Sequence, residues 1–71
     1  MKAQKVKASM MLAIKSNIKL MAELTVKNNK NHFTICRWVE SSNPKLLTKD
    51  NVAIVCNHLE LPTNDIFEFV N

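Results

Sequence analysis

Asn31, His32, Phe33, Cys36 and Arg37 gather the most chemically versatile side chains of this 71-residue chain within seven positions. The run Asn31 to Glu40 has helical spacing. Ile35, Trp38 and Val39 fall on one side at i, i+3 and i+4, while His32, Phe33, Cys36 and Arg37 occupy the other. One face is therefore expected to be buried and the other available. A permanently charged guanidinium, an imidazole and an amide on one outward face, in a chain with surplus positive charge, suit a helix lying in a nucleic-acid groove.

Other chemistries fit less well. His32 and Cys36 are four apart on that helix, and with Cys56 and His58 they complete the donor set of a Cys2His2 zinc site. Cys56 and His58 are two apart, however, so they face different sides unless their helix ends between them, and Cys56 belongs to an apolar stripe. No metal or other cofactor is expected. Nucleophilic catalysis would need a nucleophile with a spaced base and orienter, or a phosphate-cradling Gly-rich loop, and the chain contains no Gly. The expectation is a non-enzyme with no small-molecule substrate.

The elements that must hold the 31–40 helix can be read from periodicity and breaks. Residues 1–6 are polar and basic and are expected to form a flexible N-terminal arm, leaving 7–71 as the folded domain. Met11, Ile14, Ile18 and Met21 recur at i, i+3, i+7 and i+10, and Ala13, Leu20 and Leu24 widen that stripe. Ser16 and Asn17 compete for backbone hydrogen bonds, so a break there gives helices near 7–15 and 18–28; one continuous helix is the alternative. Lys27-Asn28-Asn29-Lys30-Asn31 is the clearest interruption. In a Gly-free chain, Asn28 or Asn29 should supply the left-handed residue that ends a helix. Asn31 is the expected N-cap of the next helix, with Thr34 at the reciprocal position.

Ser41-Ser42-Asn43-Pro44 stops that helix, since Pro44 disfavours the helical region for Asn43. Thr48 then caps a segment with Val52, Val55, Cys56 and Leu59 on one face, ending near His58. After Leu61-Pro62, Thr63 is read as the cap of a last helix over 64–69, with Ile66, Phe67 and Val70 as its apolar side.

Composition agrees with one all-α domain of four or five helices. Apolar residues make up 46% and charged residues 23%, ordinary for a globular protein, and the absence of Gly argues against a turn-rich β architecture. The net charge of +4 conceals a strong asymmetry. Residues 1–39 carry seven Lys and Arg37 against Glu23 alone, a net +7, whereas residues 40–71 carry −3. A local positive surface attracts polyanions, although a solvated lysine-rich face has the same composition. Lys2, Lys5 and Lys7 before Ala8 to Ile14 look superficially like a secretion signal, but the apolar run is about seven residues with no small-residue cleavage site after Lys15. Nothing approaches a membrane span of roughly 20 apolar residues. Cys36 and Cys56 are read as reduced thiols, so a cytoplasmic location is expected. Met10, Met11 and Met21 are read as core, with Met10 or Met11 marking a dimer face if both cannot be buried.

Thr34-Ile35-Cys36-Arg37-Trp38-Val39-Glu40 resembles the recognition-helix end of the Cro and lambda-repressor-like (Xre-type) helix-turn-helix family, in which an Ile and a Trp three apart anchor that helix. Leu46-Leu47-Thr48 through Leu59-Glu60-Leu61, then Thr63-Asn64-Asp65-Ile66-Phe67, is similar to the same family's fourth and fifth helices. The resemblance covers roughly residues 18–68 and departs from the family at the turn. A gapless register puts Thr25 at the small-residue position and Asn29 at the usual Gly, but Asn28 and Lys30 where aliphatic residues are normally buried. A turn about three residues longer makes Ala22 the small residue and lets Val26 fill the aliphatic place; it is slightly preferred because it desolvates neither Lys nor Asn.

The resemblance implies sequence-specific binding of double-stranded DNA by a small phage or bacterial transcriptional regulator, such as a repressor, with residues 31–40 in the major groove. Asn31, His32, Phe33, Cys36 and Arg37 would read bases: Arg37 a guanine edge, Asn31 adenine, Phe33 a thymine methyl. Lys27, Lys30, Lys45 and Lys7 would contact phosphates, with Lys2 and Lys5 in a trailing arm. Two residues have competing structural assignments, Phe33 tucked under the loop after Trp38 and Arg37 paired with Glu40. The family commonly binds as two-fold dimers, so a homodimer is a further expected partner, through Met10 and Met11 or through Phe67, Phe69 and Val70. A protein-interaction or virion-associated module on the same scaffold, without DNA binding, is the alternative.

Overall fold

The computed structural model describes residues 3–70, with side chains for residues 4–69. In chain order it contains β1 (Ala3–Val6), α1 (Ala8–Ser16), α2 (Ile18–Asn28), α3 (His32–Ser41), α4 (Lys49–Leu59), α5 (Thr63–Ile66) and β2 (Phe67–Val70). The fold is mostly helical, with one small sheet.

The breaks between helices follow local capping chemistry. Asn17 separates α1 from α2 and accepts a hydrogen bond from the Leu20 N–H through its side chain, so the region is two helices rather than one. Asn31 caps α3 by accepting from the Thr34 N–H at 2.9 Å, and Thr48 caps α4 by accepting from the Asn51 N–H. Asn29, Ser42 and Glu60 end α2, α3 and α4 at φ 53°, 51° and 55°. Behind each, the next N–H bonds back five residues, from Lys30 to the Thr25 carbonyl, Asn43 to Trp38 and Leu61 to Cys56. This is the Schellman termination, built here without Gly.

Residues 3–6 are not a free arm. β1 pairs antiparallel with β2 in the register Ala3↔Val70, Gln4↔Phe69, Lys5↔Glu68 and Val6↔Phe67. The basic composition of the segment conceals Val6, which is fully buried together with Phe67. Val6 N–H also donates to Ser42 Oγ at 2.9 Å, and Lys7 N–H to the Ile66 carbonyl at 2.9 Å, which ties the N-terminal strand to α3 and α5. The last helix is correspondingly shorter than expected. It stops at Ile66, because Phe67-Glu68-Phe69-Val70 is rich in β-forming residues and finds a partner strand. Its N-cap is Pro62, without a side-chain cap bond, so Thr63 is the first helical residue and not the cap.

The core gathers Ile14 of α1, Leu20 and Leu24 of α2, Ile35 and Val39 of α3 and Val55 of α4, all essentially buried. Met10 and Met11 are both half-buried against this core, so neither stands out as a free apolar face. Ile18, placed in the apolar stripe by sequence, is 84% exposed. The break at Asn17 resets the helical phase, and α2 buries Leu20, Met21 and Leu24 instead. Among the described residues, no helix is long and apolar enough to cross a membrane.

The connection between α2 and α3 is Asn29–Lys30–Asn31. Val26 is 82% exposed and does not fill an aliphatic place, so the longer turn is not adopted. Asn28 is half-buried in that place instead. Its amide is matched by Asn51, only 1% exposed, through reciprocal bonds of 3.0 and 2.9 Å, and it also donates to the Leu24 carbonyl at 2.7 Å. The desolvation that argued against this register is offset by an amide pair from another helix. Lys30 stays exposed.

Candidate nucleic-acid interface

The outward side of α3 is available because its inward side is fully used. Ile35 and Val39 are wholly buried and Trp38 nearly so, which fixes the rotation of the helix. His32, Phe33 and Arg37 are exposed and Cys36 is half-buried. Phe33 is 76% exposed, not tucked under the following loop, and its ring meets His32 edge-on with centroids 6.1 Å apart. His32 Nε2 lies 3.4 Å from Cys36 Sγ one helical turn away.

Arg37 does not pair with Glu40. The Glu40 carboxylate takes a 2.8 Å bond from Lys15 Nζ on α1, which clamps α1 to α3. The hydrogen bond and the charge of Lys15 hold the Glu40 carboxyl below its usual range, and the charge of Arg37 adds a smaller pull in the same direction. The guanidinium of Arg37 remains on the exposed surface, while its backbone carbonyl accepts from Ser41 Oγ at 2.8 Å.

Asn31 is exposed at the start of α3 and has a structural role there. Bidentate pairing with adenine uses both the side-chain oxygen and the amide nitrogen. The oxygen is engaged in the α3 cap. Asn31 therefore positions the helix start in this structure.

The lysines divide into two groups. Lys30 is exposed in the turn before α3, and Lys45 is exposed in the loop after it, with its N–H held by Asn43 Oδ1 at 2.9 Å. Lys45 also contributes its carbonyl to the buried Asn51 amide at 3.2 Å, so the Asn28–Asn51 pair braces both connections that flank α3. Lys27 lies 3.6 Å from Asp50 in an exposed pair of α2 and α4, and Lys5 lies 3.5 Å from Glu68 across the sheet. Such pairs hold a side chain only weakly. Lys7 is half-buried at the entrance to α1, and Lys2 lies outside the described residues.

A shallow groove runs between α2 and the start of α3. It brings Lys30, Asn31 and His32 beside Lys15, and Ile18, Met21 and Ala22 also line it. Sequence reasoning did not find this concavity, because it follows from the change of phase at Asn17 and the short turn at Asn29. The four zinc-type donors do not assemble: Cys36 sits by His32, Cys56 Sγ is 3.5 Å from Thr63 Oγ1, and His58 Nε2 is 2.8 Å from Glu23. Among the described residues, no group of three or more His, Cys, Asp or Glu side chains is placed to hold a metal ion.

Comparisons with family models, curated proteins and solved structures found no match. The functional reading therefore rests on this chain's own geometry and charge.

Proposed function

We propose that the protein binds double-stranded DNA sequence-specifically, inserting α3 into the major groove as the second helix of a helix-turn-helix formed by α2 and α3. The observation that carries this reading is the outward face of α3. Arg37, His32 and Phe33 stand exposed there, and Cys36 half-buried, on a helix whose opposite face is locked by Ile35, Trp38 and Val39. An Arg fork offers bidentate donors to guanine, and an exposed aromatic ring suits a thymine methyl, so the face combines polar and apolar readout. Asn31 sets the start of the helix, and Lys30 and Lys45 at its two ends supply phosphate contacts. Such a domain acts as a small phage or bacterial transcriptional regulator, and two copies would read half-sites about one helical turn apart.

The test is substitution of the central reader. Arg37→Ala is expected to weaken binding to a selected duplex by about 1–3 kcal/mol and to relax preference at one base pair. Its thermal unfolding should match that of the parent, since the side chain is exposed and makes no ion pair among the described residues. Unchanged affinity and unchanged preference would remove Arg37 from the interface.

A further inference from the structure

We infer that His32 and Cys36 form half of a site for a zinc-like divalent cation, which a second copy of this chain completes with the same two residues. They are four apart on α3, so their side chains leave the same side of the helix. His32 Nε2 and Cys36 Sγ already face each other at 3.4 Å. An imidazole nitrogen about 2.0 Å and a thiolate sulfur about 2.3 Å from a tetrahedral zinc ion lie about 3.5 Å apart, so the pair spans one edge of that tetrahedron with little rearrangement. In the metal-free chain the contact is a hydrogen bond between thiol and imidazole. Neither side chain has another hydrogen-bond partner among the described residues, so an ion would displace that bond alone. Each sulfur–metal bond forms as the thiol releases its proton to solvent, with no change in oxidation state.

Two donors leave half of the tetrahedron open, and one chain does not fill it. Glu40, the next residue along this side of α3, is held by Lys15 at 2.8 Å, Cys56 is engaged with Thr63 and His58 with Glu23. Among the described residues, no third His, Cys, Asp or Glu joins the pair. Charge also selects a site shared by two chains. A single thiolate would leave a dication half balanced beside the exposed Arg37 and Lys30, whereas two thiolates neutralise it. Repulsion between the two copies of Arg37 is screened by salt, because both side chains are exposed. Two identical two-donor arms around a tetrahedral ion are related by a two-fold axis, the symmetry of an isologous dimer. The outward face of α3 is open to such an approach, and Phe33, 76% exposed and edge-on to His32, stands beside the pair, where a second α3 would shield its ring from water. Such a dimer covers the outward face of α3 and so excludes duplex DNA; that consequence alone rests on the proposed function.

The test uses the full chain, kept reduced with a phosphine, and zinc(II) as the probe. Zinc should double the mass seen by sedimentation, with one ion bound per two chains, and a chelator should restore the original mass. Cobalt(II) in place of zinc should give the visible bands of a tetrahedral ion and a charge-transfer band of two thiolates per ion. His32→Ala and Cys36→Ser should each weaken zinc binding at least tenfold and abolish the change of mass. His32 is exposed, so His32→Ala should unfold thermally like the parent and tests the site even where Cys36→Ser is less stable. Cys56→Ser should bind zinc as the parent does. No zinc binding, zinc bound without a change of mass, a mass increase that the chelator does not reverse, or a loss in Cys56→Ser equal to that in Cys36→Ser would overturn the proposal. None of these readouts involves DNA, so the metal site and the DNA reading stand or fall separately.

Discussion

At the scale of single residues, the chain replaces glycine with side chains that tolerate or endure the left-handed region. Asn29, Ser42 and Glu60 all hold φ near +50°, each at the end of a helix. Asn and, more weakly, Ser soften this conformation with local polar contacts, whereas Glu has no such relief. Glu60→Gly is therefore expected to raise stability by about 0.5–1 kcal/mol, the relief at φ > 0 exceeding the added freedom of Gly in the unfolded chain. Asn29→Gly should gain less. Chemical denaturation of both variants measures the difference, and a loss of stability in Glu60→Gly would contradict the cap assignment.

The Lys15–Glu40 bond makes a second prediction at this scale. The folded-state carboxyl is held below the ordinary value of 4.5, first by the Lys15 hydrogen bond and then by the Lys15 charge. A lowered folded pKa means that the pair's contribution is present above the ordinary carboxylate range and is lost as pH falls through the lowered value. An NMR titration should place the Glu40 midpoint below 4.5, and Lys15→Met should move it back toward that value. A midpoint that Lys15→Met leaves unmoved would show that the clamp between α1 and α3 does not form in solution.

At the scale of elements, the helix boundaries around α3 were legible because they depend on neighbours in sequence. The caps at Asn17, Asn31 and Thr48, and the left-handed stop at Asn29, each need only a side chain and the next few backbone groups. What was not legible depends on distant partners. Asn28 looked costly to bury until Asn51, 23 residues away, supplied the matching amide. Val6 looked like part of a polar arm until Phe67 supplied a strand partner. The exposure of Phe33 and Arg37 was left open by sequence, and it was decided by the Lys15–Glu40 bond and the tight packing behind α3. The Asn28–Asn51 pair also gives a prediction for the elements it joins. Asn51→Ala leaves the Asn28 amide and the Lys45 carbonyl short of a partner and is expected to cost about 1–3 kcal/mol. Replacing both Asn28 and Asn51 with Leu should cost less than the sum of the two single changes, because no orphaned amide remains. Additive losses in thermal or chemical unfolding would mean that the two side chains act independently.

At the scale of the whole molecule, a charge asymmetry along the chain meets a fold that can use it. Residues 1–39 carry a net +7 and residues 40–71 a net −3. β1, α1, α2 and all but the last two residues of α3 come from the basic part, and Glu40 and Ser41 of α3, with α4, α5 and β2, from the acidic part. Ion pairs between the two parts, Lys5–Glu68, Lys15–Glu40 and Lys27–Asp50, consume some of that charge in holding the fold. Lys30 and Arg37, with Lys45 beyond α3, remain exposed around the helix that the reading places in the groove. Binding through these cations would displace condensed counterions, so affinity should fall as salt rises, with a slope that counts the phosphates contacted. Random-site selection on duplex DNA at moderate salt decides whether the chain reads sequence through α3. An enriched consensus is expected, with affinity that falls as the logarithm of salt concentration rises. Failure to enrich any sequence, or affinity indifferent to salt, would contradict that reading.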